Sequence, residues 1–272
     1  MAVWLACIVV LTVVGREAQR QISVFQVMEL RSLIGIVLLY PLIRRDGGIR
    51  AMKTANLRRQ IVRNIVHYGA QCCWLTALTL IPLAQVISIE FTMPIWTAML
   101  AVAFLGERMG VWKTTAVALG LVGVIVIVRP FSGIVSSGQL IALVAAVGYA
   151  ISVILVKSLT RTDRVTVIMF WMVVIQSVIG VAPALAVWQW PTAHTWGLLL
   201  VIGFCGTYSH YCLTQALAHA DATIVVPMDF LRVPLAALTG WLIYMERIDL
   251  LTAAGAALIL GGNLLNLQAA KA

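Results

Sequence analysis

The chain of 272 residues is 62% hydrophobic and 11% charged, with a formal net charge of +9. Soluble domains run at about 45–50% apolar and about 25% charged, because a surface facing water has to carry polar groups; this composition excludes a soluble globule and leaves an all-α polytopic membrane protein. The basic residues sit in short loops, which points to orientation in a bilayer and away from nucleic acid, whose binding needs a continuous basic face.

A spanning helix needs about 20 mostly apolar residues. Loop signals divide the chain into ten such segments, near 1–19, 22–43, 60–80, 84–104, 111–128, 137–157, 165–187, 196–217, 222–243 and 250–268. The first, beginning MAVWLACIVVLTVV, has neither a basic n-region nor a small-residue cleavage site and reads as a retained helix. Its apolar part stops at Gly15, and Arg16, Glu17 and Arg20 follow. Either those side chains snorkel to the interface or the natural start lies upstream. The second segment carries Gln26, Glu29 and Arg31, and the third carries His67, Tyr68 and Gln71. Glu90 lies in the fourth with Pro94 one turn later, and Tyr149 in the sixth. The eighth holds Tyr208, His210, Tyr211 and Gln215; the ninth holds Asp229 and Arg232, with Pro227 and Pro234 on either side. Trp188, Trp190 and Trp196 flank a short outer loop as interfacial anchors, and His194 and His219 are expected in solvent. Small residues in the fifth and tenth segments (Gly120, Gly123, Gly255, Gly261, Gly262) suit close helix packing, within the chain or between the copies of a homodimer.

With the N-terminus in the cytoplasm, thirteen of the nineteen Lys and Arg fall in inner loops, Arg44, Arg45, Arg50, Lys53, Arg58, Arg59 and Arg63 among them, and four in outer loops. This bias predicts both termini inside. Five helices per half is an odd number, so the halves, 1–130 and 131–272, are expected in opposite orientations.

The halves are also related in sequence. The block QCCWLTALTLIPLAQVISIEFTMPIWTAMLAVAFLGERM recurs 139 residues later as HYCLTQALAHADATIVVPMDFLRVPLAALTGWLIYMERI. Without a gap, Cys73 falls on Cys212, Ala77 on Ala216, Phe91 on Phe230 and Glu107 on Glu246, while Gln71 falls on His210 and Glu90 on Asp229. A duplicated apolar block with paired acids is the pattern of a secondary transporter built from inverted repeats, with its substrate site near the midplane.

Five charged residues cannot be assigned to loops: Glu29, Arg31, Glu90, Asp229 and Arg232. A charge at the bilayer centre costs at least ~2.5–3.5 kcal/mol on insertion scales. Each is therefore either half of an ion pair that fixes packing or part of a substrate or proton path, and the duplication favours the path. Asp229 and Arg232 are three apart and share a helical face, which suits substrate positioning. Glu90 has no basic residue at i±3 or i±4; a carboxyl without a cation, in apolar surroundings, holds a proton more readily, so Glu90 is the candidate proton-coupling group. Glu29 and Arg31 are two apart and point to different faces. The expected substrate-binding set is Arg31, Tyr68, Gln71, Tyr149, His210, Tyr211, Asp229 and Arg232. The five cysteines, Cys7, Cys72, Cys73, Cys205 and Cys212, lack metal-ligand spacing. No Gly-Lys-Ser/Thr, HExxH or GxSxG motif occurs, so neither an enzyme nor a cofactor is expected.

A fourth helix with an internal proline ending in LGER, a Gly-rich fifth ending in VRP and a second copy ending in MER resemble the EamA type of the drug/metabolite transporter superfamily. FQVMELRS at 25–32 and IPLAQVISIEFTMPIW at 81–96 resemble most a subgroup that includes riboflavin and S-adenosylmethionine carriers. The resemblance implies a bacterial inner-membrane carrier of a small metabolite, whether exporter or importer. Two alternatives from other classes are a non-transporting scaffold or sensor subunit, and an intramembrane enzyme, which would need a second catalytic group that is not evident.

Overall fold

In a computed structural model, residues 2–81, 83–107, 109–128, 136–225 and 250–269 are described, with the single positions 235, 238 and 242. All regular structure among them is helical. In chain order the helices are α1 (Ala2–Ala18), α2 (Val24–Arg45), α3 (Leu57–Leu80), α4 (Leu83–Glu90), α5 (Met93–Leu100), α6 (Val111–Val128), α7 (Ser137–Leu159), α8 (Val165–Ala186), α9 (Ala193–His219), α10 (Ala222–Val225) and α11 (Leu250–Ala269). Four of these described helices, α2, α7, α8 and α9, are long and apolar enough to cross a membrane. Large apolar side chains stay on the outside, among them Val37 at 71% and Val178 at 70% exposure. Such a surface suits lipid rather than water.

The chain groups into two compact units, each drawn from two stretches. The first comprises Met1–Leu75 and Leu155–His219. There α2 packs against both α8 and α9, and α9 also packs against α1. Ala18, Ile22, Val27 and Leu30 bury against Leu199 and Ile202, and Leu39, Ile43 and Met52 bury against Val167, Met169, Met172 and Val173. Glycines set how closely the helices approach: a Cβ on Gly35 would stand 2.8 Å from Thr207 Oγ1 and 3.0 Å from Val173 Cγ1, and one on Gly203 would overlap Ile34. Helices in membranes gain most of their association from such close packing.

The second unit comprises Thr76–Ile154 and Ala220–Ala272. Its α6 packs along α11, and α4 and α5 pack on α6. The fourth predicted segment, expected as one helix over 84–104, is instead broken. Pro94 has no N–H to return to the carbonyl of Glu90, and the backbone turns tighter there, with Thr92 N bonding to Ile89 O at 3.0 Å and Ile95 N to Thr92 O at 3.0 Å. Glu90 is thus the last residue of α4, and it is buried. Beyond α5 a wide turn over Ala101–Leu105 ends at Gly106, whose φ of 69° is the left-handed conformation that glycine adopts without strain. Glu107 Oε1 then accepts the N–H of Ala222 at 3.1 Å, holding the start of α10. Within the LGER motif, glycine stops a helix and glutamate holds the start of a distant one, α10.

Candidate functional site

The buried polar groups of the first unit collect around α2. The side chains from Gln26 to Ser32 are all buried, because α2 packs against two helices at once over these two turns. At 100° per residue, Glu29 and Arg31 leave the helix on nearly opposite sides. The carboxylate meets α8 and the guanidinium meets α9.

Glu29 Oε1 accepts the hydroxyl of Ser177 at 2.5 Å. One turn further along α8, a Cβ on Gly180 would stand 2.7 Å from Glu29 Oε2 and 3.2 Å from Tyr68 Oη. Gly180 is therefore the floor on which Glu29 and Tyr68 of α3 both rest. Arg31 is seated in the same manner by α9: a Cβ on Gly206 would come within 2.8 Å of its Nε and 3.1 Å of its Cδ. Each charge occupies a niche cut by an absent side chain.

The third wall is α3. Gln60, Arg63, Asn64, His67, Tyr68 and Gln71 recur at three- and four-residue spacing and are all buried. They form a polar stripe along one side of the helix. Arg63 Nη1 donates to Asn64 Oδ1 at 2.7 Å, which also faces Gln176 Nε2 of α8 at 3.4 Å. Asn64 Nδ2 donates to Gln60 O at 2.8 Å, and Gln60 Nε2 to Asp163 Oδ2 at 2.9 Å. Asp163 takes a further hydrogen bond from Thr54 Oγ1 at 2.6 Å. The stripe is thus tied to the loop between α7 and α8. At its other end the rings of His67 and His210 meet edge to face, with centroids 4.8 Å apart. Arg31, Arg63, His67 and His210 lie within electrostatic range of one another.

Of the expected binding residues, the first unit brings Arg31 and His210 into range of each other, Tyr68 lies beside Glu29 on Gly180, and Gln71 is one turn beyond His67. Tyr211 is adjacent in sequence to His210; its ring packs on the cluster around Met169 and Val173, and its Oη accepts from Gln215 Nε2 at 3.0 Å. Glu90 and the half-buried Tyr149 belong to the second unit. Asp229 and Arg232, with Pro227 and Pro234, lie outside the described residues.

Arg63 is a correction to the sequence reading, which counted it among the inner-loop charges. Helix α3 begins at Leu57, and Arg63 lies inside it with 2% exposure. The signal was present as Arg63, His67 and Gln71 at four-residue intervals, one helical face within the expected 60–80 segment. His194 is also placed differently, in the first turn of α9 rather than in a loop, though it is exposed as expected.

Comparison with known proteins supplies the family. The model of the EamA-like transporter family matches residues 1–129 and again 136–268. The chain is 34% identical over 80% of its length to a riboflavin transporter of Rhizobium johnstonii, covering 72% of that protein. It is 24% identical to an S-adenosylmethionine uptake transporter of Rickettsia prowazekii, over 91% of this chain and 84% of the other. To the pseudopaline exporter of Pseudomonas aeruginosa it is 29% identical, over 92% and 88%. One solved crystal structure superposes with a TM-score of 0.79 over 99% of this chain and 96% of that one, at 17% identity, a likeness of fold alone. The named relatives are transporters, not enzymes, and together with a family model that matches nearly the whole sequence they decide the matter: this chain belongs to the EamA-like transporter family.

Proposed function

We propose that the protein is a secondary carrier that moves a small metabolite across the bacterial inner membrane by alternating access. Ten helices form two inverted repeats, 1–130 and 131–272, with both termini in the cytoplasm. The observation that carries this reading is the buried polar cluster of α2, α3, α8 and α9: apolar helices place Glu29, Arg31, Arg63, His67 and Tyr68 inside, where each charge is costly unless it has work to do. Riboflavin and S-adenosylmethionine, the substrates named for two of the relatives, are the first candidates to test.

Arg31, Tyr68, Gln71 and His210 are assigned to substrate contact, together with Tyr149, Tyr211, Asp229 and Arg232. Glu90 is assigned to the proton-coupled step. Its place at the end of a broken helix supports this, since discontinuous helices carry the coupling and substrate sites of many secondary transporters. Purified protein in liposomes, loaded with labelled riboflavin or S-adenosylmethionine, tests the reading with and without an imposed proton gradient. Saturable, gradient-dependent flux is expected from the parent. Glu90→Gln is expected to bind substrate but fail to accumulate it. Full gradient-driven accumulation by Glu90→Gln would remove Glu90 from the coupling step, and no flux of either compound would count against the substrate candidates.

A further inference from the structure

We propose that the stripe of α3 facing Arg31 is an oxyanion site: the carried metabolite presents a carboxylate or phosphate group to Arg63, supported by Arg31, His67 and His210. The inference rests on the carrier reading and adds to it a substrate class and a residue, Arg63, that the site did not previously contain. Three features of the fold lead here. Arg63 is 2% exposed, and a guanidinium keeps its charge in any protein environment. Among the described residues, no carboxylate lies within 4.0 Å of it; its one hydrogen-bonding partner is the neutral amide of Asn64, and its Nε has no acceptor. Its charged neighbour Arg31 has the same sign, and the two imidazoles beside it are donors or neutral rings rather than anions.

A packing role does not account for this arrangement. Structure-fixing arginines in membranes are matched by acids or backbone carbonyls, whereas Arg63 meets only the neutral amide of Asn64, with the cationic Arg31, seated on Gly206, in electrostatic range. Planar guanidinium donors fit the paired oxygens of a carboxylate or phosphate. The Asn64 contact occupies Nη1 and leaves the buried Nε without an acceptor. The rings of His67 and His210 meet edge to face beside it.

Two matched pairs of probes test it, each differing by one anionic group: flavin mononucleotide against riboflavin, and S-adenosylmethionine against its decarboxylated form. Equilibrium binding is measured on the full chain in lipid nanodiscs. In at least one pair the anionic member is expected to bind about tenfold tighter or more, the ratio that one charge-assisted pair supports. The pair that shows the preference tells phosphate from carboxylate. Arg63→Gln is expected to erase that ratio and Arg63→Lys to retain part of it, while Arg50→Gln, which removes the same charge from an exposed turn, leaves it intact. Gly206→Ala guards against a folding artefact, because it displaces Arg31 without removing a charge and should also reduce the ratio. No preference in either pair, including no binding at all, or a preference that survives Arg63→Gln, overturns the assignment. Exchange of the same compounds in liposomes separates the two readings: flux without charge preference keeps the carrier and removes the anion site, and charge-selective binding without flux does the reverse.

Discussion

Gly180→Ala is the most direct test of how the buried carboxylate is seated. The new methyl would stand 2.7 Å from Glu29 Oε2, 3.2 Å from Tyr68 Oη and 3.4 Å from Tyr68 Cε2. An ordinary carbon–oxygen contact is several tenths of an ångström longer than the first of these. Glu29 cannot simply swing away, because Ser177 holds its other oxygen at 2.5 Å. Overpacking of this kind costs about 1–3 kcal/mol, while exchanging Gly for Ala in a helix returns up to ~1 kcal/mol of backbone propensity. Gly69→Ala separates the two effects, since that glycine lies inside α3, is exposed, and has nothing within 4 Å of the added Cβ. Gly69→Ala should be neutral or stabilising. Gly180→Ala should be less stable than Gly69→Ala by roughly the full overpacking cost of ~1–3 kcal/mol, because the propensity gain cancels in the comparison. Reversible unfolding in mixed micelles reads the difference. A double cycle with Glu29→Ala sharpens it: in that background Gly180→Ala should lose most of its penalty, as contacting residues are non-additive. Equal stability of the two alanine variants, or a penalty that persists without the Glu29 side chain, would refute the seating.

Other consequences follow from single features. Asp163→Ala removes the acceptor shared by Thr54 and Gln60; hydrogen bonds to a charged group contribute about 1.5–3 kcal/mol, so partial exposure leaves an expected loss of ~1–3 kcal/mol in the same unfolding assay. Pro94→Ala restores an N–H opposite the carbonyl of Glu90 and should let α4 and α5 join, raising stability while lowering flux several-fold in liposomes; unchanged flux would show that the break is incidental. Single cysteines placed over residues 44–59 should resist an impermeant thiol reagent from the periplasmic side in intact cells and react after permeabilisation, and ready labelling of intact cells would invert the topology.

Local chemistry made much of this protein legible in advance. Helix α6 spans Val111–Val128, the range the loop signals predict, and α7 and α8 end within two residues of expectation. A long apolar run between turn residues has few other ways to satisfy its backbone in lipid. The duplication, the acid Glu90 inside an apolar segment and the two-residue offset of Glu29 and Arg31 were likewise legible, because each depends only on spacing along the sequence. What tertiary structure decided lies where distant segments meet. Ser177 reaches Glu29 across 148 positions of sequence, and Gly180 and Gly206 matter only because a carboxylate and a guanidinium from another helix arrive at them. Arg63 shows the limit most plainly: composition counts it with the loop charges beside it, whereas helix packing turns it inward, to 2% exposure. Tyr211 packs its ring on a core cluster and bonds to Gln215, one residue's rotation away from His210. Periodicity tells which residues share a face of a helix; only the packing of that helix against its neighbours tells which face is the inside.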